Sequence, residues 1–205
     1  MLCDGYGAND TLDNVVLAGC GAHVRRKFND AEKVQPKKTG RVQVALSYIK
    51  KLYRIEKLAK GLSAKARQQL RQERAKPLLE EFKSWLTEAA QAVLPKSLLG
   101  VAINYTLNQW EKLQTYLDHG DVSIDNNITE RDIRPFTTGR KNWLFSQSVN
   151  GAESSAILYS LVMTCRANDV NPYFYFKHLF TELPNREKGC DLADFMPWNV
   201  TLDTS

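Results

Sequence analysis

The sequence predicts an α/β protein in which helices make up most of the chain. Two short apolar runs beside glycines, Met1–Cys3 and Asn14–Cys20, predict two buried strands near the N terminus. Beyond Gly40, apolar residues recur instead at three- and four-residue steps, which is the spacing of helices that bury one face. We therefore expect the tail of an α/β sheet, an all-helical insertion and a helical C-terminal region.

Composition and charge are those of an ordinary globular protein. Of the 205 residues, 43% are hydrophobic and 25% are charged, which argues against wholesale disorder. The net charge of +5 permits a nucleic-acid partner without requiring one. The polar start MLCDGYGAND is unlike a signal peptide, and no apolar run approaches the roughly 18 residues of a membrane span. With four scattered cysteines and no CxxC pair, we expect free thiols and a cytoplasmic protein that does not bind membranes.

Residues 1–28 are expected to be the remnant of the sheet. Asp4 directly follows the first predicted strand, and α/β sheets place ligand-facing groups at the carboxyl ends of strands. The alternative is that Asp4 caps the turn that begins at Gly5. After the second strand, Cys20 and His23 form a Cys-x-x-His pair, but a structural zinc site needs four ligands. A histidine oriented by a hydrogen bond is therefore favoured over a zinc ligand.

Residues 29–118 are expected to be the helical insertion. Ser63 is a plausible N-cap for a long helix that is interrupted or restarted near Pro77 and ends at Pro95. A third helix is predicted from about Ser97 to Leu117. The lysines and arginines of this block are expected to lie on solvent-facing helix surfaces.

Residues 119–183 are expected to contain a short helix, a basic loop and two further helices, and residues 184–205 an irregular tail. The run from Asn127 to Glu130 has the form of a capping box, in which the glutamate returns to the backbone of the cap. Pro135 is predicted to end this helix near Arg134. In the loop that follows, cations alternate with flat aromatic side chains, a pattern that suits a nucleic-acid backbone with exposed bases.

Four motifs in this order, CDGYG, CGAHVRRKF, DNNITER and GRKNWLF, resemble those of the transposases of insertion-sequence family 66. The resemblance covers nearly the whole chain and implies a ribonuclease-H-like catalytic domain with a DDE triad. It implies that Asp4 is the second acid of the triad and that Glu130 is the final one. The pair of Cys20 and His23 resembles one found beyond the second acid in several transposase groups, where it supports the site. Asn127 is expected to support the site by starting the helix of Glu130.

The implied activity is cleavage and joining of DNA at transposon ends by in-line attack on a phosphodiester. Such chemistry uses two Mg²⁺ or Mn²⁺ ions roughly 3.5–4 Å apart, which the resemblance assigns to Asp4, Glu130 and the first acid of the intact site. No organic cofactor is expected. The expected partners are double-stranded DNA, as transposon end and as target, and other transposase subunits. The residues expected to contact DNA are Arg25, Arg26, Lys27, Arg131, Arg134, Arg140, Lys141, Asn142 and Trp143.

One part of the DDE pattern has no counterpart in the chain. The first acid belongs on an earlier strand, and only three residues precede Asp4. We therefore expect the C-terminal part of a transposase, inactive when alone. The alternative is a non-catalytic DNA-binding protein, or a regulator of an intact transposase.

Overall fold

The computed structural model describes residues 1–34, 40–143 and 146–202, except for the side chains of residues 140–143. Within these ranges the chain is mostly helical and contains two strands, which confirms the mostly helical content. None of the described helices combines the length and the apolar character that crossing a membrane requires. The chain divides into two compact units, Met1–Thr129 and Glu130–Ser205.

The two strands of the first unit lie side by side in parallel. β1 (Leu2–Cys3) pairs with β2 (Ala18–Gly19), with Leu2 opposite Ala18. The prediction of a strand from residue 14 was wrong in its length. Asn14 has a left-handed φ of 60°, which is incompatible with an extended strand, and Val15 and Val16 after it are exposed. Because the strands are parallel, the residues that follow them lie at the same edge of the sheet.

In the described part of the first unit, the helices surround an apolar core. They are α1 (Gly21–Val34), α2 (Arg41–Leu58), α3 (Ala64–Leu70), α4 (Lys76–Gln91), α5 (Leu98–Asn108) and α6 (Trp110–Gln114), with a π-helical turn at Arg71–Ala75 and 3₁₀ turns at Gly7–Thr11 and Thr115–Leu117. Ser63 is confirmed as a cap, because its hydroxyl accepts a hydrogen bond from the Ala66 amide at 3.3 Å. Pro77 lies in the first turn of α4, where its missing N–H costs no hydrogen bond.

Aromatic side chains from several of these helices fill the centre of the core. The ring of Phe82 stacks on that of Tyr48, with 5.0 Å between centroids, and meets Trp110 edge-on at 6.1 Å. Phe28 of α1 is fully buried and packs against Phe82 at 6.5 Å. The predicted boundary between residues 28 and 29 therefore lies inside one helix, whose side chains belong to the core of the helical block.

A buried arginine in the π-helical turn joins distant parts of the first unit. Arg71 is 1% exposed, and its Nε and Nη2 atoms donate to the two carboxylate oxygens of Glu56 at 2.9 and 2.7 Å. Its Nη1 atom lies 2.9 Å from each of three backbone carbonyl oxygens, those of Tyr116, His119 and Val122. The guanidinium thus ties α2 to the irregular segment that follows α6.

The described part of the second unit contains α7 (Asn127–Trp143, which begins just before the division), α8 (Val149–Ala167) and α9 (Pro172–Glu182). Phe136 and Tyr159 join α7 to α8 through an edge-on ring contact of 4.8 Å. In the tail, Phe195 is 2% exposed, and its ring centroid lies 5.6 Å from that of His178.

The prediction that Pro135 ends the helix of Glu130 was wrong. α7 continues through Pro135, and residues 139–143, predicted as a basic loop, form its last turns. A proline inside a helix removes one amide donor and crowds the carbonyl four residues earlier, here that of Arg131, yet kinked helices accommodate both effects. The Thr137 hydroxyl, which follows the proline, donates a hydrogen bond of 2.9 Å to the carbonyl of Arg134, which precedes it.

We expect Arg71→Ala to lower the free energy of unfolding by about 3–5 kcal/mol, because it leaves a largely buried Glu56 carboxylate and three carbonyls without their donor. Urea denaturation measures this loss. The control is Arg74→Ala, which removes an exposed arginine of the same turn and should cost under about 0.5 kcal/mol. Similar losses in the two variants would contradict an anchoring role for Arg71.

Candidate functional site

The candidate site lies at the sheet edge where β1 and β2 end. Asp4 directly follows β1, is exposed, and accepts a hydrogen bond from the Tyr6 amide on its Oδ1 atom at 3.0 Å. Asp4 therefore caps the turn that begins at Gly5, as the alternative interpretation predicted. Within the described part of the chain, Asp4 Oδ2 has no hydrogen bond, so the carboxylate keeps one oxygen for a ligand.

Tyr105 of α5 fixes the backbone at Asp4. Its hydroxyl donates to the Asp4 carbonyl at 2.7 Å, and the Lys27 ammonium lies 4.6 Å from the centre of its ring. Gly5 permits this approach, because its φ is 84° and a Cβ there would lie 3.0 Å from the tyrosine oxygen. Burial raises the pKa of Tyr105 to about 12, and the nearby ionisable groups of Cys20, Asp4 and Cys3 add to the rise.

Cys20, the residue after β2, contacts the start of the DNNITER motif. Cys20 is buried, and its Sγ atom accepts a hydrogen bond from the Asn126 amide at 3.4 Å. The Gly21 amide donates to the Ile124 carbonyl at 2.8 Å. His23 lies in the first turn of α1, half-buried. The Cys-x-x-His pair therefore lies where the sheet edge meets the chain segment that precedes α7.

Asp125 is a site residue that the sequence analysis missed. Its Oδ2 atom accepts a hydrogen bond from the Tyr53 hydroxyl at 2.8 Å, and its Oδ1 atom accepts one from the Asn127 amide at 3.2 Å. Burial and then the bond to Asp125 raise the pKa of Tyr53. The carboxylate thus caps the first turn of α7 and fastens it to α2. The available signal was an aspartate two residues before a helix start, a position that favours such turns.

Asn126, the middle residue of the Asp-Asn-Asn run, has a buried side-chain oxygen. Among the described residues, no donor hydrogen-bonds to this Oδ1 atom. A buried polar atom without a partner is uncommon in folded proteins, and a bound water or ion is one of the groups that can satisfy it. Cys20, Asp125 and Asn126 therefore form a polar cluster at the base of α7.

Glu130 lies in the first turn of α7, where a negative charge is favoured by the helix dipole. The helix begins at Asn127 itself, and the Asp125 side chain caps it, so Asn127 is not the cap that the sequence predicted. Asp4 belongs to the first unit and Glu130 to the second. The approach of the two carboxylates therefore stays a prediction.

The predicted DNA-binding cations fall into three groups. Arg25 and Arg26 are exposed on α1, with the Arg25 guanidinium 5.8 Å from the centre of the Tyr53 ring, whereas Lys27 is half-buried against Tyr105. Arg131 and Arg134 are exposed on α7, and Arg131 lies 3.6 Å from Asp132. The side chains of the third group lie outside the described part of the chain: Arg140, Lys141, Asn142 and Trp143.

Zinc and magnesium make different demands on the side chains near the sheet edge. Among the described residues, no three or more His, Cys, Asp or Glu side chains are grouped so that they could hold a metal ion. The Cys20–His23 pair thus has no further ligands there of the kind a structural zinc site needs. Mg²⁺ makes smaller demands on the protein, because it takes one or two carboxylates together with substrate phosphate and water.

Comparison with known proteins places these residues in a family context. The family described as "Transposase IS66 family" matches residues 1–154, and the "IS66 C-terminal element" matches residues 160–198. The proteins y4hP, y4jD and y4qI of Sinorhizobium fredii (strain NBRC 101917 / NGR234), each named as uncharacterized, are 32%, 32% and 36% identical to the chain over 90%, 98% and 96% of its length. The chain spans only 35%, 41% and 36% of these curated relatives. No solved structure matches it significantly.

We expect Tyr53→Phe to lower the free energy of unfolding by roughly 1–2 kcal/mol, because it removes a hydrogen bond to a partly buried carboxylate. Thermal or urea denaturation measures the change. Tyr48→Phe is the matched control, since it removes a hydroxyl from the same helix without disturbing Asp125. Equal effects of the two substitutions would show that the bond to Asp125 contributes nothing of its own.

The raised pKa of Tyr105 predicts a loss of stability at alkaline pH. Above about pH 10 the unfolded chain releases the phenolic proton while the folded chain retains it, so unfolding becomes more favourable until the pH reaches about 12. Urea denaturation at a series of alkaline pH values should show this decline, and Tyr105→Phe should make it shallower. An unchanged slope in the variant would mean that the Tyr105 hydroxyl ionises as readily in the folded chain as in the unfolded one.

Proposed function

The chain belongs to the IS66 transposase family, and we propose on that basis that it is part of the catalytic region of a DDE transposase with a ribonuclease-H-like sheet. The observation that carries the proposal is the position of Asp4. This exposed carboxylate follows β1 directly, at the sheet edge where the base of α7 is also fastened. In α/β sheets, this edge is where ligands and reacting groups are held.

Asp4 and Glu130 are proposed as two carboxylate ligands of divalent metal ions. The donor set fits Mg²⁺ or Mn²⁺, because carboxylate oxygens are the ligands that these hard cations prefer, and Asp4 keeps Oδ2 available within the described part of the chain. When bound, two such ions would activate the attacking oxygen of a phosphodiester transfer and stabilise the leaving oxygen. The buried Asn126 oxygen is a further acceptor beside this site.

Neighbouring side chains would hold the ligands in place. Tyr105 fixes the backbone carbonyl of Asp4, and Asp125 fixes the first turn of the helix that carries Glu130. Pre-organised ligands matter for catalysis because small displacements of a reacting group cost large factors in rate. We therefore assign Tyr105, Tyr53 and Asp125 to positioning the acids, and Cys20 to supporting the same segment.

The substrate that this assignment implies is double-stranded DNA. The cations of α1 and α7 are suited to phosphate contacts, which orient DNA on a protein without reading its sequence. Two carboxylates make up only part of a DDE triad. We therefore propose that the 205 residues bind DNA and metal but do not cut DNA alone.

The metal assignment predicts the effect of Asp4→Asn and of Glu130→Gln. Each should weaken Mn²⁺ binding by about tenfold or more, because removal of even the outer-shell partners of metal ligands costs that much. Isothermal titration calorimetry measures the affinity. The control is Asp13→Asn, which removes an exposed carboxylate from the same N-terminal segment and should leave the affinity unchanged.

Calorimetry tests the metal assignment, and a strand-cleavage assay tests whether the chain is inactive alone. Equal affinities in all four proteins would overturn the metal assignment, and retained DNA binding would then favour a non-catalytic DNA-binding protein. Strand cleavage of transposon-end DNA by the 205-residue chain, abolished by Glu130→Gln, would support the site and contradict inactivity of the chain alone.

A further inference from the structure

The exposed side of α2 carries an excess of positive charge. This helix contains five cationic residues and one acidic residue, Glu56. The Glu56 carboxylate does not face solvent, since its side chain is 16% exposed and both of its oxygens accept hydrogen bonds from buried Arg71. The charged residues on the solvent-facing surface of α2 are therefore all cationic: Arg41, Lys50, Lys51, Arg54 and Lys57.

Three of these cations share one face of the helix. Lys50, Arg54 and Lys57 stand four and three residues apart, and all three are exposed. Within the described part of the chain, none of them forms an ion pair. Seven residues of helix separate the first from the last by about 10 Å, a length that covers roughly three phosphates of one strand at 3.4 Å each. We call these three residues the α2 basic face.

A groove between α1 and α2 continues the α2 basic face toward the candidate site. Lys50 and Tyr53 line it from α2, and Arg25 and Asn29 line it from α1. Glu32 is the acid of this groove, and its carboxylate accepts a hydrogen bond from Gln43 at 3.4 Å. The same Tyr53 bonds to Asp125 at the base of α7. The cations therefore lead along the first unit to the segment that holds the proposed catalytic helix.

The chemistry of this surface selects for a phosphate backbone rather than for unpaired bases. Proteins that bind single strands add exposed aromatic rings on which bases stack. The two aromatic rings of α2 are not available in that way: Tyr53 is half-buried beneath Arg25, and Tyr48 is stacked in the core on Phe82. A row of cations on a rigid helix without stacking platforms matches the charge of duplex DNA, independent of sequence.

We propose that the α2 basic face, together with Arg25 across the groove, binds the backbone of double-stranded DNA and guides it to the sheet edge. The proposal rests on the proposed transposase function and assigns the helical block a role in it. The cations of the α2 basic face are then a substrate-binding surface, not merely the solvated face of a helix.

The test compares two triple variants, each of which removes three positive charges from a different part of the first unit. Lys50→Gln/Arg54→Gln/Lys57→Gln neutralises the α2 basic face, and Lys65→Gln/Arg74→Gln/Lys76→Gln neutralises three exposed cations on α3, the π-helical turn and the start of α4. Fluorescence anisotropy with a labelled duplex of arbitrary sequence measures affinity as a function of salt concentration. Circular dichroism confirms that both variants are folded, which is expected because all six side chains are exposed.

The first variant should bind duplex DNA at least tenfold more weakly than the unaltered chain. Its plot of log affinity against log salt should be shallower by roughly 2–3, since each lost phosphate contact removes about 0.9 from the slope. The second variant should match the unaltered chain. A charge-preserving exchange, Lys50→Arg/Arg54→Lys/Lys57→Arg, should restore both affinity and slope.

The outcomes separate this inference from the proposed function. If the unaltered chain binds duplex DNA and both triple variants lose equal affinity, or neither loses any, the α2 basic face is not the binding surface, while the transposase assignment stands on other cations. Preferential binding of single-stranded DNA would also overturn the inference. If the unaltered chain binds no DNA, both proposals fail, whatever the metal titration shows for Asp4 and Glu130.

Discussion

The five contacts of the Arg71 guanidinium are the constraint on which the candidate site depends. The segment from residue 116 to residue 126 makes few regular backbone hydrogen bonds, so its shape must be fixed by side chains. Arg71 binds three of its carbonyls while pairing with Glu56. Burying a charge this deeply is unfavourable unless it is paired and hydrogen-bonded, and here the Glu56 carboxylate pairs with it while the carbonyls accept from Nη1. The same pair removes the single negative charge from α2, so one interaction both shapes the approach to α7 and sets the charge of a helix surface.

Downstream of that anchor, the site is assembled from weak contacts that converge on two short strands. The Cys20 sulfur accepts from the Asn126 amide, and the Gly21 amide donates to the Ile124 carbonyl. Asp125 joins Tyr53 to the first turn of α7. None of these bonds is strong individually. Together they determine where the proposed catalytic helix begins relative to the edge that carries Asp4, which is the geometric requirement of a carboxylate site.

Local signals in the sequence predicted the local structure well. The cap at Ser63 and the start of a helix near Ser97 follow from side-chain chemistry and spacing within a few residues, and the structure contains both. The continuation of α7 through Pro135 and the short second strand were not predicted, because both depend on the balance between a local preference and the surrounding packing. The pairs Tyr53–Asp125 and Tyr105–Asp4 join residues 72 and 101 positions apart, a separation that no periodicity reports. The acids themselves came from motif resemblance, and periodicity alone would have left Glu130 an ordinary helix-start glutamate.

Pro135 gives α7 an uneven stiffness along its length. An unbroken helix resists bending because each amide is bonded to the carbonyl one turn earlier, and at Pro135 one of these bonds is missing. The Arg131 carbonyl therefore lacks its helical donor, in the turn immediately after Glu130. The elastic compliance of the helix is concentrated at this place, so bending strain applied to the C-terminal end, which carries Arg140 and Lys141, is absorbed there before it reaches the first turn.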